Sequence, residues 1–190
     1  MAISTIGQNG LNAPLSLTSP ALTTPNLGTP SALVLTNATA LPSVALPTGS
    51  VLQVVQYVFA PSSYTTFSGF TVNTQLNGAI TPKFATSKIL VTMTYTVGTS
   101  TTANAMCTAQ LMRNGSQIFY IGQIAGNVVS TRALQNVVHN YLDSPASTSA
   151  QTYRLQVNSV DGATCYIGAW GYAPNDWQTS CILTLTEIAG

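Results

Sequence analysis

Between Lys88 and Val97 every second residue is apolar: Ile89, Val91, Met93, Tyr95 and Val97 share one face, with Thr92, Thr94 and Thr96 opposite. A period of two, carried largely by β-branched residues, marks a strand with one buried face. Residues 151–159 repeat the pattern, placing Tyr153, Leu155 and Val157 inward and Arg154, Gln156 and Asn158 outward. No window of ten or more residues shows a convincing helical period. The chain must therefore build its core from sheets.

Turn signals punctuate the runs. Asn114-Gly115 separates residues 106–113 from 116–121, and Asp161-Gly162 separates 152–160 from 164–170. Both dipeptides supply the positive backbone angles that a tight hairpin demands. Further strands are expected at 51–60, 64–73, 134–142 and 181–188. Eight to ten short strands in about 140 residues predict an all-β fold: an antiparallel two-sheet β-sandwich of jelly-roll kind over residues 51–190. A domain of that size buries roughly two-thirds of its unfolded surface, enough for a real core. A second loop, 122–131, is small and polar.

The first 50 residues differ. Pro14, Pro20, Pro25, Pro30, Pro42 and Pro47 recur every five to twelve positions, and no charged side chain occurs. Proline removes an amide donor and clashes with the preceding turn, so no useful helix fits between them. The segment is nevertheless rich in leucine, which a disordered linker would normally lack. It reads as an extended docking arm over residues 1–50, with Leu11, Leu15, Leu17, Leu22, Leu27, Leu33 and Leu35 as its contacts. Fully extended, it reaches on the order of 150 Å.

Charge decides the class of partner. Only 5% of residues are charged, against roughly 25% in an average soluble domain, and the net charge is +1. So little surface repulsion suits a protein covered by copies of itself or by neighbours. Phosphate neutralisation needs clustered cations, and five dispersed ones form no stripe, so nucleic acid is not expected. No stretch of about 20 apolar residues predicts a membrane-spanning helix, and residues 1–9 lack the basic start and apolar run of a secretory signal. The tripeptides at Asn37 and Asn114 are accordingly chance glycosylation matches.

Catalytic chemistry finds little material. One histidine and four carboxylates are spread thinly, and general acid–base work needs such groups to converge. Asp161 and Asp143 fall in turns, where a carboxylate commonly bonds backbone amides, and Glu187 falls in the last strand. His139 sits in a strand context without ligand-spaced neighbours, which suits a structural or interface role. No nucleophile elbow or phosphate-cradling glycine loop occurs. Neither enzyme activity nor a cofactor nor a metal is expected. Cys107, Cys165 and Cys181 lack metal-site spacing; buried free thiols are the plain reading, with a Cys165–Cys181 bridge left open.

One cluster suggests binding. Trp170, Tyr172, Asn175, Asp176 and Trp177 fall within eight residues, beside Gly171 and Pro174, in what should be a surface loop. Trp and Tyr concentrate binding energy, and aromatic faces next to Asn and Asp suit sugars. The rival reading is that the same rings pack between copies of the chain or cap the sandwich end.

The run Gly28-Thr29-Pro30-Ser31-Ala32-Leu33-Val34-Leu35-Thr36-Asn37-Ala38-Thr39 is similar to a linker of bacteriophage tail-fibre proteins, especially those of marine and cyanobacterial phages. Leu46-Pro47-Thr48-Gly49-Ser50-Val51-Leu52-Gln53-Val54-Val55-Gln56 resembles the start of their C-terminal domain. Ser87-Lys88-Ile89-Leu90-Val91, Tyr141-Leu142-Asp143-Ser144-Pro145-Ala146 and the ending Leu183-Thr184-Leu185-Thr186-Glu187-Ile188-Ala189-Gly190 extend the resemblance over most of residues 28–190. It implies a trimeric virion protein with a β-sandwich head, concerned with attachment to the host surface and assembled in the host cytoplasm. The partners expected are two sister chains, tail or baseplate proteins under the arm, and a host glycan. The chain is shorter than the long fibres, which raises a rival role: a decoration or cement trimer on the capsid surface, its arm lying on capsid protein.

Overall fold

The computed structural model describes residues 46–60, 65–67, 72–99, 106–126, 133–160, 164–168 and 179–190. Ten strands and no helix occur among the described residues: β1 (Val51–Phe59), β2 (Thr65–Phe67), β3 (Val72–Ile80), β4 (Lys88–Thr99), β5 (Met106–Arg113), β6 (Ser116–Gly126), β7 (Ala133–Asp143), β8 (Gln151–Val160), β9 (Cys165–Ile167) and β10 (Cys181–Ile188). Every pairing among them is antiparallel. In the first sheet β10 lies between β1 and β4, and β4 pairs β7 on its other side. Short β9 continues the place of β10 along β4, pairing residues 97–99, and β2 pairs β9. The second sheet runs β3-β8-β5-β6. The expected all-β, two-sheet sandwich is what forms.

The alternation read in the sequence is what joins the sheets. Ile89, Val91, Met93, Tyr95 and Val97 of β4 face Leu111 of β5 and Tyr153, Leu155 and Val157 of β8 across one core, each at most 1% exposed. Leu183 and Leu185 of β10 and Leu76 and Ile80 of β3 complete it. Each such side chain contributes about 1.5–3 kcal/mol by leaving water. Asn114 and Gly115 both take positive φ, 49° and 85°, as the hairpin between β5 and β6 requires. Asn114 also locks that turn onto β8: its Oδ1 accepts the Thr152 amide at 2.8 Å and its amide donates to the Thr152 carbonyl at 2.9 Å.

Several expectations need correction. The single strand expected at 64–73 is two, in different sheets, and β3 runs on to Ile80. Gly78 lies inside β3. It is glycine there because the Tyr57 ring crosses over it: a Cβ at position 78 would meet Tyr57 Cδ2 at 2.0 Å. Tyr57 then donates its hydroxyl to the Ala79 carbonyl at 2.6 Å, tying β1 of one sheet to β3 of the other. The strand expected at 164–170 is described only from Cys165 to Ile167. The polar stretch 122–126, read as loop, belongs to β6, which is lengthened by bulges against β5.

The cysteines also differ from expectation. Cys107 of β5 and Cys165 of β9 form a disulfide that joins the two sheets, while Cys181 is a free, buried thiol. Neither three free thiols nor a Cys165–Cys181 bridge fits this arrangement. Cys165 sits opposite Thr99 of β4, whereas Cys181 pairs with Phe59 of β1, so the two point to different places along the same line of strands.

At the start of the head, the Ser50 amide bonds the Pro47 carbonyl in a turn. Gly49 donates to Ala189 and Ala189 to Ser50, both at 2.8 Å, prolonging the β1–β10 ladder to the last residues. Residues 1–45, and with them every leucine named for the arm (Leu11, Leu15, Leu17, Leu22, Leu27, Leu33 and Leu35), lie outside the described residues.

Candidate functional site

The aromatic cluster expected to bind, Trp170, Tyr172, Asn175, Asp176 and Trp177, lies outside the described residues. Its frame does not. Gly168 takes φ +70° and donates its amide to the Thr96 carbonyl at 2.9 Å, and Thr179 donates back to the Gly168 carbonyl at 2.7 Å. Gly168 and Thr179 are therefore tied to each other and, through Gly168, to β4.

Among the described residues the acidic titratable groups are engaged in structural bonds. Asp143 is not engaged as a turn residue; at the end of β7 it is buried, and its Oδ2 accepts from Arg113 Nη1 and from the Tyr153 hydroxyl, each at 2.7 Å. The hydrogen bond to Asp143 raises the Arg113 pKa, and burial followed by the same carboxylate raises that of Tyr153. Glu187 is fully buried although it belongs to the last strand. Its Oε1 accepts the Lys83 amide and its Oε2 accepts Gln53 Nε2, both at 2.6 Å. Burial alone pushes this carboxyl up, but the neighbouring Ser87 hydroxyl, Gln53 and the amides of Lys83 and Phe84 outweigh it and hold the group below the usual range. Both carboxylates lie at the start of β4, flanking Ile89, which pairs with Asp143 of β7 on one side and Glu187 of β10 on the other, and each is held by its own partners; His139 lies further along, opposite Met93.

His139 is half-buried on the inward side of β7, between Val137 and Tyr141, with its ring 6.3 Å from that of Tyr95. Burial lowers its pKa. Burial likewise raises Tyr95, whose hydroxyl is enclosed without a hydrogen-bond partner, and the Cys181 thiol. Among the described residues no group of three His, Cys, Asp or Glu could hold a metal ion, and no helix is long and apolar enough to cross a membrane.

The first sheet presents a different kind of feature on its outer face. Register places four cross-strand rows there. Val58, Ile182, Thr94 and Val138 form one; Gln56, Thr184, Thr92 and Asn140 the next; Val54, Thr186, Leu90 and Leu142 the third. Ile188 and Lys88 begin the fourth, and Lys88 is the only charge in these rows. The middle row is closed on itself: Gln56 donates to Thr184 at 3.3 Å and Thr92 to Asn140 at 2.8 Å. The outer rows are not covered. Val54, Val58 and Val138 are 58–59% exposed and Leu142 is 49% exposed. A surface four strands wide with a single charge and exposed valine and leucine is the kind that monomeric proteins avoid. Sequence alternation could have shown each strand's outward residues, but not that they line up across four strands.

A second exposed feature lies where β6 meets β7. Phe119 and Tyr141 stack with ring centroids 4.9 Å apart, and Tyr120 beside them is 57% exposed. The run Ile118-Phe119-Tyr120-Ile121 was the available signal: four large apolar residues in a row break the alternation. The bulges in β6 re-aim its side chains, so both Phe119 and Tyr120 reach solvent.

Comparison with known proteins adds little. No family model and no curated protein matches the sequence. Among solved structures, the fold is similar to a chain of the T13 particle of infectious bursal disease virus, at 11% identity and a TM-score of 0.40 over 74% of this chain and 37% of that one. The VP2 subviral particle of the same virus gives 10% identity and 0.40, over 74% and 38%. Latent PorU from Porphyromonas gingivalis gives 13% and 0.41, over 72% and 13%. This chain thus spans well under half the length of each. At TM-scores this low the likeness assigns neither family nor role.

Proposed function

We propose that the protein is a virion structural component, a short trimeric phage tail fibre whose sandwich head attaches to a glycan on the host surface and whose N-terminal arm docks on the tail. The observation that carries the assembly part is the outer face of the first sheet, whose rows hold one charge, Lys88. Four exposed apolar side chains there, Val54, Val58, Val138 and Leu142, belong against another surface, and a chain with 5% charged residues has few others to offer. The trimer, the tail and the host come from the resemblance of residues 28–190 to phage tail fibres. Attachment through three copies gains strength from effective concentration, so each site can be weak.

The test has two parts. Val58→Lys with Val138→Lys puts two charges on one row and is expected to dissociate the oligomer in light scattering or native mass spectrometry. A wild-type protein that is monomeric in dilute solution overturns the assembly reading. Labelled copies imaged on the particle should mark the tail; a lattice of label over the head replaces the fibre with a capsid-decoration role. Trp177→Ala should weaken adsorption while leaving the oligomer intact, and loss of the oligomer would place that ring between subunits.

A further inference from the structure

The outer face of the second sheet is unlike that of the first. Thr152, Arg154 and Gln156 alternate outward along β8, and across β5 they meet Met112, opposite Arg154, and Gln110, opposite Gln156. Next to the Asn114-Gly115 turn these side chains enclose a pocket of about 410 Å³, lined by Met112, Asn114, Gly115, Thr152, Arg154 and Gln156. Its walls are held from behind. Asn114 is fixed by its bonds to Thr152 and, through Nδ2, to Gln151 at 2.9 Å, and Gln156 accepts from Gln110.

Arg154 is the cation in this lining, and among the described residues no acidic side chain pairs with it. Both carboxylates among the described residues are committed elsewhere, Asp143 to Arg113 and Tyr153, and Glu187 to Gln53 and the Lys83 amide. Its Nε is buried with no hydrogen-bond partner. A donor left in that state is costly, the more so when charged, unless something accepts from it. A guanidinium presents a planar fork that matches a carboxylate.

From this we infer that the pocket binds a sugar carrying one carboxylate, a uronate. The charge fits: one cation balances a carboxylate, whereas a phosphate monoester, at about −1.5 to −2, would be left partly uncompensated. The remaining lining suits the rest of a sugar ring, with the Thr152 hydroxyl and Gln156 amide for hydroxyl groups and the Met112 side chain for a C–H face. The volume lies within the range of about 300–1,000 Å³ of small-ligand sites. The inference deepens the host-attachment reading by naming a ligand class, and rests on that reading only for its biological setting.

Isothermal titration calorimetry on the purified full chain, with glucuronate, glucose and inorganic phosphate as separate probes, tests it. Glucuronate is expected to bind at least about tenfold more tightly than glucose or phosphate, and to weaken as salt is raised. Arg154→Gln should lower glucuronate binding at least about tenfold. Met112→Glu, which leaves Arg154 in place but supplies it with an internal carboxylate, should do the same and covers the case in which Arg154→Gln misfolds. Equal binding of glucose and glucuronate, preference for phosphate, no glucuronate signal on wild type, or undiminished binding by the folded Met112→Glu protein would each overturn the inference. Because the readout uses purified protein, its failure leaves the location of the protein on the virion untouched.

Discussion

Replacing Glu187 by Gln keeps the volume of the side chain and removes its charge, which isolates what a fully buried carboxylate does in a strand of Thr, Leu and Ile. The wild-type group accepts two bonds of 2.6 Å, one from the Lys83 amide and one from Gln53 Nε2, which also donates to the Thr81 carbonyl at 2.7 Å. Glutamine can present its oxygen to only one of these donors. The backbone amide of Lys83 cannot turn round, so the new NH2 must face Gln53. Gln53 then has to flip, and its bond to Thr81 is lost. One neutral bond disappears and the survivors lose their charge assistance, a cost of about 2–3 kcal/mol. That is a large share of the roughly 5–15 kcal/mol that holds a typical domain together. The charge also predicts a pH signature. The folded-state pKa of Glu187 is depressed, so its contribution is complete above the unfolded value of about 4.3 and is lost as pH falls through the folded value. Urea unfolding of both proteins, at one protomer concentration and in steps from pH 7 to about pH 2, should show a gap of about 2–3 kcal/mol that holds to about pH 4.3 and narrows below it. A gap under about 0.5 kcal/mol at pH 7, or one that does not change with acid, would refute the reasoning.

Three further outcomes follow from the same structure. Thiol titration of the oxidised, denatured chain should find one reactive cysteine, Cys181, and three after reduction; removing the Cys107–Cys165 bond, which spans 58 residues, should cost about 4 kcal/mol on the loop-entropy model, read from denaturant midpoints. Gly78→Ala should destabilise by about 1–3 kcal/mol, because the new methyl displaces the Tyr57 ring and its bond to Ala79, and a double mutant with Tyr57→Ala should be clearly non-additive. Asp143→Asn should cost about 2–3 kcal/mol in urea unfolding, since Arg113 loses its ion partner inside the sandwich end.

Much of the fold was legible residue by residue. The alternation of β4 and β8 named the inward side chains of both strands, and all of them are buried, because a strand's faces are set by its own period of two. Asn114-Gly115 named a hairpin because its backbone angles are a local property. Where the reading failed, the deciding neighbour was remote. The glycine at position 78, in mid-strand, has no local reason, and only Tyr57, brought in from the other sheet, explains it. Asp143 looked like a turn acceptor, and Arg113 and Tyr153 claim it from the opposite sheet. Cysteine pairing depends on which strands meet, so spacing alone favoured no bond.

The same division runs through the candidate surfaces. Sequence alone determined that the chain is a sheet protein, poor in charge, with an uncharged proline- and leucine-rich leader, since composition and period are properties of the string. Which outward residues gather was decided only by tertiary structure. Val58, Thr94, Val138 and Ile182 come from four separate strands and form a row because register aligns them. Arg154 has no acidic partner among the described residues because folding commits Asp143 and Glu187 elsewhere. Long-range pairing sets such neighbours, and a linear pattern carries no record of it.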